Sequence, residues 1–236
     1  MKFNLLTLGA LALAGATGVA APPATQPLTG FPFTDESLTY TVNWPSGLSL
    51  GEGHLRAHRS GTDWAFELSL EASVPGFDVK DSYTSHATQE LCGIDFAKNS
   101  MHGTRKANEK DSVDASGKVT RTTQSGGGKS EFSAPACVKD ALTLLFYARR
   151  ELGQGRVPPA QQVLFGGLYQ ATLQYAGPQV IQIGDKPVQS DKVLCSLKGP
   201  SSNPQFEIYF ARDAARTPLS FSVPLSMGKF SMELVR

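Results

Sequence analysis

Residues 64–74, which read WAFELSLEASV, form the clearest strand pattern in this chain. Every second residue from Trp64 to Val74 is apolar, and the residues between them are small or acidic. This is the period of a half-buried β-strand, because successive side chains of a strand point to opposite faces. An α-helix would scatter the same apolar residues around its whole circumference. We therefore expect a strand that ends at Pro75-Gly76.

The same alternation recurs on both sides of this stretch, at a spacing of roughly ten residues. The further strand candidates are 38–44, 48–58, 79–83, 91–96, 169–175, 180–183, 192–197, 206–211, 219–225 and 230–234. Many short strands with little helix predict a mainly β protein, either a curved antiparallel sheet or an open β-barrel. A β-sandwich is the alternative.

One main α-helix is predicted, at about residues 139–152. Asp140 is a suitable N-cap, and the apolar run after it contains no helix breaker. Arg149 and Arg150 suit the negative end of the helix dipole, and Gly153 can end the helix. Its apolar stripe predicts that the helix lies on or plugs the sheet.

Residues 99–129 are polar, with almost no apolar anchor. They are predicted to form a hairpin of two exposed strands, Arg105–Val113 and Lys118–Gln124, which turns at Ala115-Ser116-Gly117. The alternative is a disordered excursion.

The N-terminus has the pattern of a secretory signal peptide. Lys2 precedes an apolar run, and small residues lead to a predicted cleavage site after Ala20. Residues 21–33 are then a flexible lead-in, and residues 34–236 form a single barrel-like domain. We expect a periplasmic or secreted protein, and no apolar stretch is long enough for a membrane-spanning helix.

Charge excludes a general attraction to nucleic acid. The chain has 22 basic and 21 acidic residues, and the predicted signal peptide removes one base, Lys2. A mature chain that is neutral overall has no electrostatic footprint for nucleic acid or for an anionic membrane.

Three cysteines in an oxidising compartment indicate one disulfide and one spare thiol. We favour Cys92–Cys137, because Cys195 alternates with apolar neighbours and suits a buried strand position. The loop of about 45 residues would make this bond worth ~4 kcal/mol in the chain-entropy model. Three free thiols are the alternative.

No motif supports catalysis, a cofactor or a metal. His54 and His58 are too far apart on a strand to share a metal, and we expect both to face solvent. The run Gly126-Gly127-Gly128-Lys129-Ser130 lacks the first glycine of a phosphate loop, since Thr123 stands there. The Asp213–Pro218 stretch is interpreted as a structural turn in which Asp213 caps the backbone.

Other polar residues offer only weak candidates for a hydrolase. Cys137 could be a nucleophile with His86 or His102, but a disulfide would abolish this role. Asp111 and Asp114 lie in the polar stretch, and we expect both carboxylates to be solvated. The sequence thus yields no catalytic, cofactor-binding or metal-ligating residue.

Several landmarks together resemble a bacterial exported family, domain of unknown function 3108. They are 38–42 (LTYTV), Gly51, 135–142 (PACVKDAL), 145–149 (LFYAR), 211–219 (ARDAARTPL) and Gly228. The resemblance implies an envelope-exported protein with a curved antiparallel sheet, similar to the open barrels of periplasmic lipoprotein carriers, and a helix against the concave side. It implies no activity and no catalytic residues.

Three functions follow as hypotheses. The first is a non-enzymatic exported protein whose open barrel binds an apolar ligand such as a lipid. The second is an envelope scaffold or assembly factor that binds another protein through a strand edge or the polar hairpin. The third is a hydrolase, which would need clustered polar residues in a cleft.

Overall fold

The computed structural model describes residues 35–74, 76–124, 127–200, 202–225 and 228–235. The predicted signal peptide (1–20) and the predicted lead-in (21–33) lie outside these residues. The described strands are β1 (Glu36–Asn43), β2 (Ser49–Ser60), β3 (Asp63–Val74), β4 (Phe77–Ala87), β5 (Gly93–His102), β6 (Arg105–Val113), β7 (Lys118–Thr123), β8 (Lys129–Ser133), β9 (Lys139–Asp140), β10 (Gln161–Leu164), β11 (Leu168–Ile183), β12 (Lys186–Lys198), β13 (Gln205–Ala211), β14 (Pro218–Leu225) and β15 (Gly228–Leu234). The described helix is α1 (Ala141–Gly153).

In the described residues, these strands form one sheet in the order 8-7-6-5-4-3-2-1-15-14-13-12-11-10-9. The first and last of these described strands, β1 and β15, pair in the middle of the sheet. Neighbouring strands are antiparallel except β9 and β10, which are parallel. The predicted curved sheet or open barrel is confirmed, with this one parallel pair as an addition.

Chain connectivity explains the curvature. The two edge strands, β8 and β9, are joined by residues 134–138, and a link of this length spans at most about 22 Å. A flat sheet of this many strands, about 4.8 Å apart, would place its edges about 65 Å from each other. The sheet must therefore curl until its edges approach. On the β9 side, the amide of Gly93 in β5 donates to the carbonyl of Val138 at 2.8 Å.

The predicted hairpin is present as β6 and β7, but it is not fully exposed. Its turn is held by Asp114, whose carboxylate accepts from the amides of Ser116 and Lys118 at 2.9 and 3.0 Å. On its inner face, Val119 packs in a small cluster with Val138 and Leu164. The polar hairpin thus overlaps the opposite edge of the sheet.

Helix α1 lies against the concave face of the sheet, as predicted. Asp140 is its N-cap and accepts from the amides of Leu142 and Thr143. The ring of Phe146 stacks on Phe66 of β3, with centroids 4.1 Å apart. The helix starts at Ala141 rather than 139, because residues 139–140 join the sheet. It also includes Gly153, the expected stop, and is capped by Gln154.

Two large apolar clusters lie in the interior, one on either side of α1. One contains Tyr40, Phe66 and Phe146, and the other contains Leu144, Val193 and Phe210. Both use residues of the helix, so α1 is buried on two faces rather than on the single predicted stripe. The helix divides the concave side of the sheet without filling it.

Candidate functional site: an apolar cavity between the helix and the sheet

A cavity of about 290 Å³ lies between α1 and the concave face of the sheet. Leu142 and Leu145 of the helix face Leu68 and Leu70 of β3 across it, and Phe221 of β14 closes a further side. These positions are apolar because each is an inward position of an alternating strand or of the helix stripe. The volume is close to the lower end, about 300 Å³, of known small-molecule sites.

The cavity wall has one polar corner, on β4. Asp81 and Tyr83 are both inward residues of this strand and both line the cavity. The Tyr83 hydroxyl donates to Oδ2 of Asp81 at 3.3 Å, and Nε2 of His102 lies 2.9 Å from Oδ1 of the same carboxylate. Burial raises the pKa of Tyr83, and the Asp81 carboxylate raises it further. The phenol is therefore kept protonated, as a donor to Asp81.

The turn between β10 and β11 reaches this corner from the opposite edge of the sheet. Phe165 lines the cavity, and its ring centroid is 6.3 Å from that of Tyr83. The amide of Phe165 donates to Gly167 at 2.9 Å around Gly166, whose φ of +64° suits glycine. On β5, the ammonium of Lys98 lies 5.7 Å from the Phe165 centroid. Side chains from β4, β5 and the β10–β11 turn thus bound the polar corner.

Buried hydrogen bonds fix the N-terminus of α1 beside the cavity. The Asp140 carboxylate accepts from the Thr143 hydroxyl at 2.6 Å and from the Ser85 hydroxyl of β4 at 2.7 Å, in addition to the two backbone amides. Burial raises the pKa of Asp140, and the hydrogen bonds it accepts oppose that rise. The helix is thereby locked to the same strand that carries Asp81 and Tyr83.

The segment before β9 meets β5 through the hydrogen bond between Gly93 and Val138, and we call this line of contact the seam. The predicted disulfide lies at the seam, just before α1. Cys92 and Cys137 are bonded, and they join the β4–β5 loop to the segment that leads into β9. Lys139 is buried next to this bond, with Nζ 3.2 Å from the Cys137 carbonyl and 4.4 Å from the Tyr147 ring centroid. Burial, with a smaller effect from Arg150, lowers the pKa of Lys139 to about 8.

The other end of α1 is held by an ion pair between the buried Arg149 and the partly buried Glu36. Both terminal nitrogens of Arg149 bind Glu36 of β1, at 2.6 and 2.9 Å, while its Nε donates to the Ala215 carbonyl. Ala215 lies in the β13–β14 turn, where Asp213 accepts from the Thr217 amide and hydroxyl, as predicted for a structural turn. The cavity wall formed by α1 is therefore fixed at both helix ends.

The predicted site residues are distributed over several places. Cys195, expected in a buried strand, lies on β12 and lines the cavity, and burial raises its pKa to about 11. His54 and His58 lie half-buried on β2. His86 pairs with Asp95 rather than with Cys137, whose sulfur is occupied by the disulfide. The cysteine nucleophile of the hydrolase hypothesis is thus bonded in this structure.

The expectation for Asp111 is wrong. The residue is only 2% exposed, and its carboxylate forms a bidentate ion pair with Arg121, with both distances 2.7 Å. It is buried because the hairpin overlaps the β10–β11 edge, which the sequence pattern did not indicate. Asp114 is exposed, as expected.

Sequence reasoning missed Asp81, Tyr83 and Phe165 as site residues. A signal for Asp81 existed, since it shares the inward face of β4 with Tyr83 and Ser85, where an apolar residue is the norm. Phe165 had no local signal, because its role depends on the approach of the sheet edges. Among the described residues, there is no metal-binding group of His, Cys, Asp or Glu and no helix with the length and apolarity to cross a bilayer.

Comparisons with known proteins agree with this architecture. The model of the family described as "Protein of unknown function (DUF3108)" matches residues 39–235. The fold is similar to the crystal structure of a "Beta-barrel-like Protein of Domain of Unknown Function DUF1849" from Brucella abortus, with a TM-score of 0.62 and 7% sequence identity. That match covers 86% of this chain and 96% of the other, and it shows the fold alone. No curated protein matches the chain.

Proposed function

The chain belongs to the DUF3108 family of proteins of unknown function. We propose that it is a non-enzymatic, exported protein that binds an apolar ligand, such as a lipid, in its open barrel. The predicted signal peptide of residues 1–20, with cleavage after Ala20, would deliver the domain of residues 34–236 to the periplasm or the medium. The Cys92–Cys137 bond is compatible with that destination.

The observation that carries the proposal is the apolar cavity of about 290 Å³. Protein interiors are normally packed as densely as organic crystals, and a void forfeits the contacts of its lining atoms. Here α1 is pinned at both ends, by Asp140 and by Arg149, so it does not move in to fill the space. A ligand with an apolar chain would restore these contacts.

The composition of the wall favours an apolar ligand over a polar substrate. Of the described residues that line the cavity, Asp81 alone carries a charge, and the wall is otherwise mostly aliphatic and aromatic. Transfer of a CH₂ group from water into such surroundings is worth about 0.8 kcal/mol. An acyl chain would therefore gain binding energy along most of its length.

The alternative, an envelope scaffold or assembly factor, would use the free edge of β8 to bind a partner strand. This edge carries exposed charges: Glu131 pairs with Lys118 and Lys129 at 2.6 and 3.0 Å. Charged side chains on an edge strand oppose pairing with another chain. We therefore favour the ligand over the protein partner.

The proposal is tested with protein exported by its own signal peptide and purified without detergent. We expect native mass spectrometry to show a bound species that organic extraction releases as a lipid, and the extracted protein to bind a fluorescent fatty-acyl probe. Leu145→Trp fills the cavity from α1 and should weaken probe binding at least about tenfold. Leu48→Trp is the matched control, because Leu48 is 65% exposed on the β1–β2 turn.

The proposal fails if the purified protein has only its own mass and the extracted protein binds no probe. It also fails if Leu145→Trp binds the probe as tightly as Leu48→Trp does, since the probe would then lie elsewhere. A thermal unfolding scan of both variants confirms that each is folded before binding is compared.

A further inference from the structure

The polar corner of the cavity presents hydrogen-bond acceptors. The Asp81 carboxylate can only accept, and its two oxygens already receive the Tyr83 hydroxyl at 3.3 Å and His102 Nε2 at 2.9 Å. Because the Tyr83 hydroxyl donates its hydrogen bond to Asp81, its oxygen still offers lone pairs to a third group. A ligand that reaches this corner therefore meets acceptor atoms from both residues.

We infer that the ligand carries a hydrogen-bond-donating head group, an amine or a hydroxyl, which Asp81 and Tyr83 bind while its apolar chain fills the cavity. The inference rests on the proposed function and names the ligand class for the same site. A primary amine fits best, because its bond to the Asp81 carboxylate is charge-assisted.

Charge at the corner disfavours a carboxylate head. Asp81 is only 13% exposed, so water screens its charge weakly, and Glu109 on β6 adds negative potential at Tyr83. One cation on the same inner face, Lys98, lies against the Phe165 ring and does not reach the cavity wall. An acyl chain that ends in a carboxylate would therefore place like charges together.

The chain supplies a matched control for the role of Asp81. Asp95 on β5 also pairs with a histidine, His86, at 2.9 Å. It comes directly before Phe96, whose side chain faces inward, so Asp95 lies on the outer face of the sheet. The two pairs have the same chemistry and length, and they differ in which side of the sheet they occupy. Asp81→Asn and Asp95→Asn thus remove equivalent carboxylates with only one facing the cavity.

The test is competition of dodecylamine, dodecanol and laurate against the fluorescent fatty-acyl probe, below their micelle concentrations at pH 7.5. For the unaltered protein we expect dodecylamine to bind at least about tenfold more tightly than laurate, with dodecanol between them. Asp81→Asn should bring the amine-to-laurate ratio within about threefold, whereas Asp95→Asn should leave it unchanged.

The inference is overturned if laurate binds the unaltered protein as tightly as dodecylamine. This comparison does not depend on whether any variant folds. The inference is also overturned if the ratio survives in Asp81→Asn or is lost equally in Asp95→Asn. If the probe itself binds no form of the protein, the proposed function fails as well, whereas probe binding without head-group preference removes only this inference.

Discussion

The Ser85 hydroxyl of β4 donates a 2.7 Å hydrogen bond to the Asp140 carboxylate at the N-terminus of α1. The two residues are 55 positions apart in sequence, and the bond is buried. It connects a strand on one side of the seam with the helix that begins on the other. The position of the helix relative to the polar corner of the cavity therefore depends on this contact.

We expect Asp140→Ala to lower the free energy of unfolding by ~3 kcal/mol, because it removes an N-cap and leaves buried hydroxyls and amides without their acceptor. Ser85→Ala removes one donor and should cost ~1 kcal/mol. Urea unfolding measures both. Asp114→Ala, which removes an exposed turn carboxylate, is the control, and an equal loss in Asp114→Ala and Asp140→Ala would contradict the role of the buried contact.

The disulfide should be a major source of stability. Cys92 and Cys137 are separated by 45 residues, for which the chain-entropy model predicts ~4 kcal/mol. The double variant Cys92→Ser/Cys137→Ser should unfold at a correspondingly lower urea concentration. Dithiothreitol should destabilise the unaltered protein by the same amount and leave the double variant unaffected. A reductant effect of equal size on both proteins would argue against this assignment.

Gly51 is required by close backbone packing between β2 and β3. A Cβ at this position would lie 1.9 Å from the Glu71 carbonyl oxygen, which is fixed in the sheet. At Gly53 the nearest atom is Cε of Met232 at 2.6 Å, and this flexible side chain can move. We expect Gly51→Ala to cost ~3 kcal/mol and Gly53→Ala ~1 kcal/mol or less in urea unfolding. Similar costs at both positions would refute the backbone argument.

Because of Lys139, the free energy of unfolding should change with pH in the alkaline range. Burial lowers its pKa in the folded protein to about 8, whereas an unfolded lysine titrates near ~10.4. Between these values the unfolded chain binds more protons, so folding stability should rise with pH. In Lys139→Met this contribution disappears. Between pH 7.5 and pH 9.5, the free energy of unfolding of the unaltered protein should therefore rise relative to that of Lys139→Met. A difference between the two proteins that stays constant over this range would exclude the predicted linkage.

The buried thiol reports on the cavity. Burial raises the pKa of Cys195 to about 11, so its thiolate fraction at pH 7.5 is about a hundredfold below that of a free cysteine. N-ethylmaleimide should add once per oxidised chain, slowly, and bound fatty-acyl probe should slow the addition further. Mass spectrometry over time measures both rates. Labelling as fast as in urea-unfolded protein would show that Cys195 is not enclosed.

Local patterns predicted much of the fold. The alternation in residues 64–74 became most of β3, and Asp140 caps α1 as its position before an apolar run indicated. The hairpin of β6 and β7 followed from turn residues around Asp114. Each of these features depends on interactions within a few residues, which a sequence displays directly.

The cavity and its polar corner could not be predicted in the same way. Asp111 was expected to be solvated, yet the overlap of the sheet edges buries it against Arg121. Phe165 lines the cavity only because the β10–β11 turn reaches β4 across the seam. Such contacts depend on how far the sheet curls, a property of all its strands together.

Local sequence patterns predicted the mainly β architecture and an apolar helix after Asp140, and they favoured Cys92 and Cys137 as disulfide partners over three free thiols. The first two predictions follow from side-chain period and capping chemistry, and the third follows from the buried strand position expected for Cys195. Two features became visible only in the folded structure: α1 leaves a cavity between itself and the sheet, and Asp81 faces this cavity. The physical reason is that strand pairing fixes which face a residue occupies, while the closure of the two sheet edges fixes what lies opposite that face.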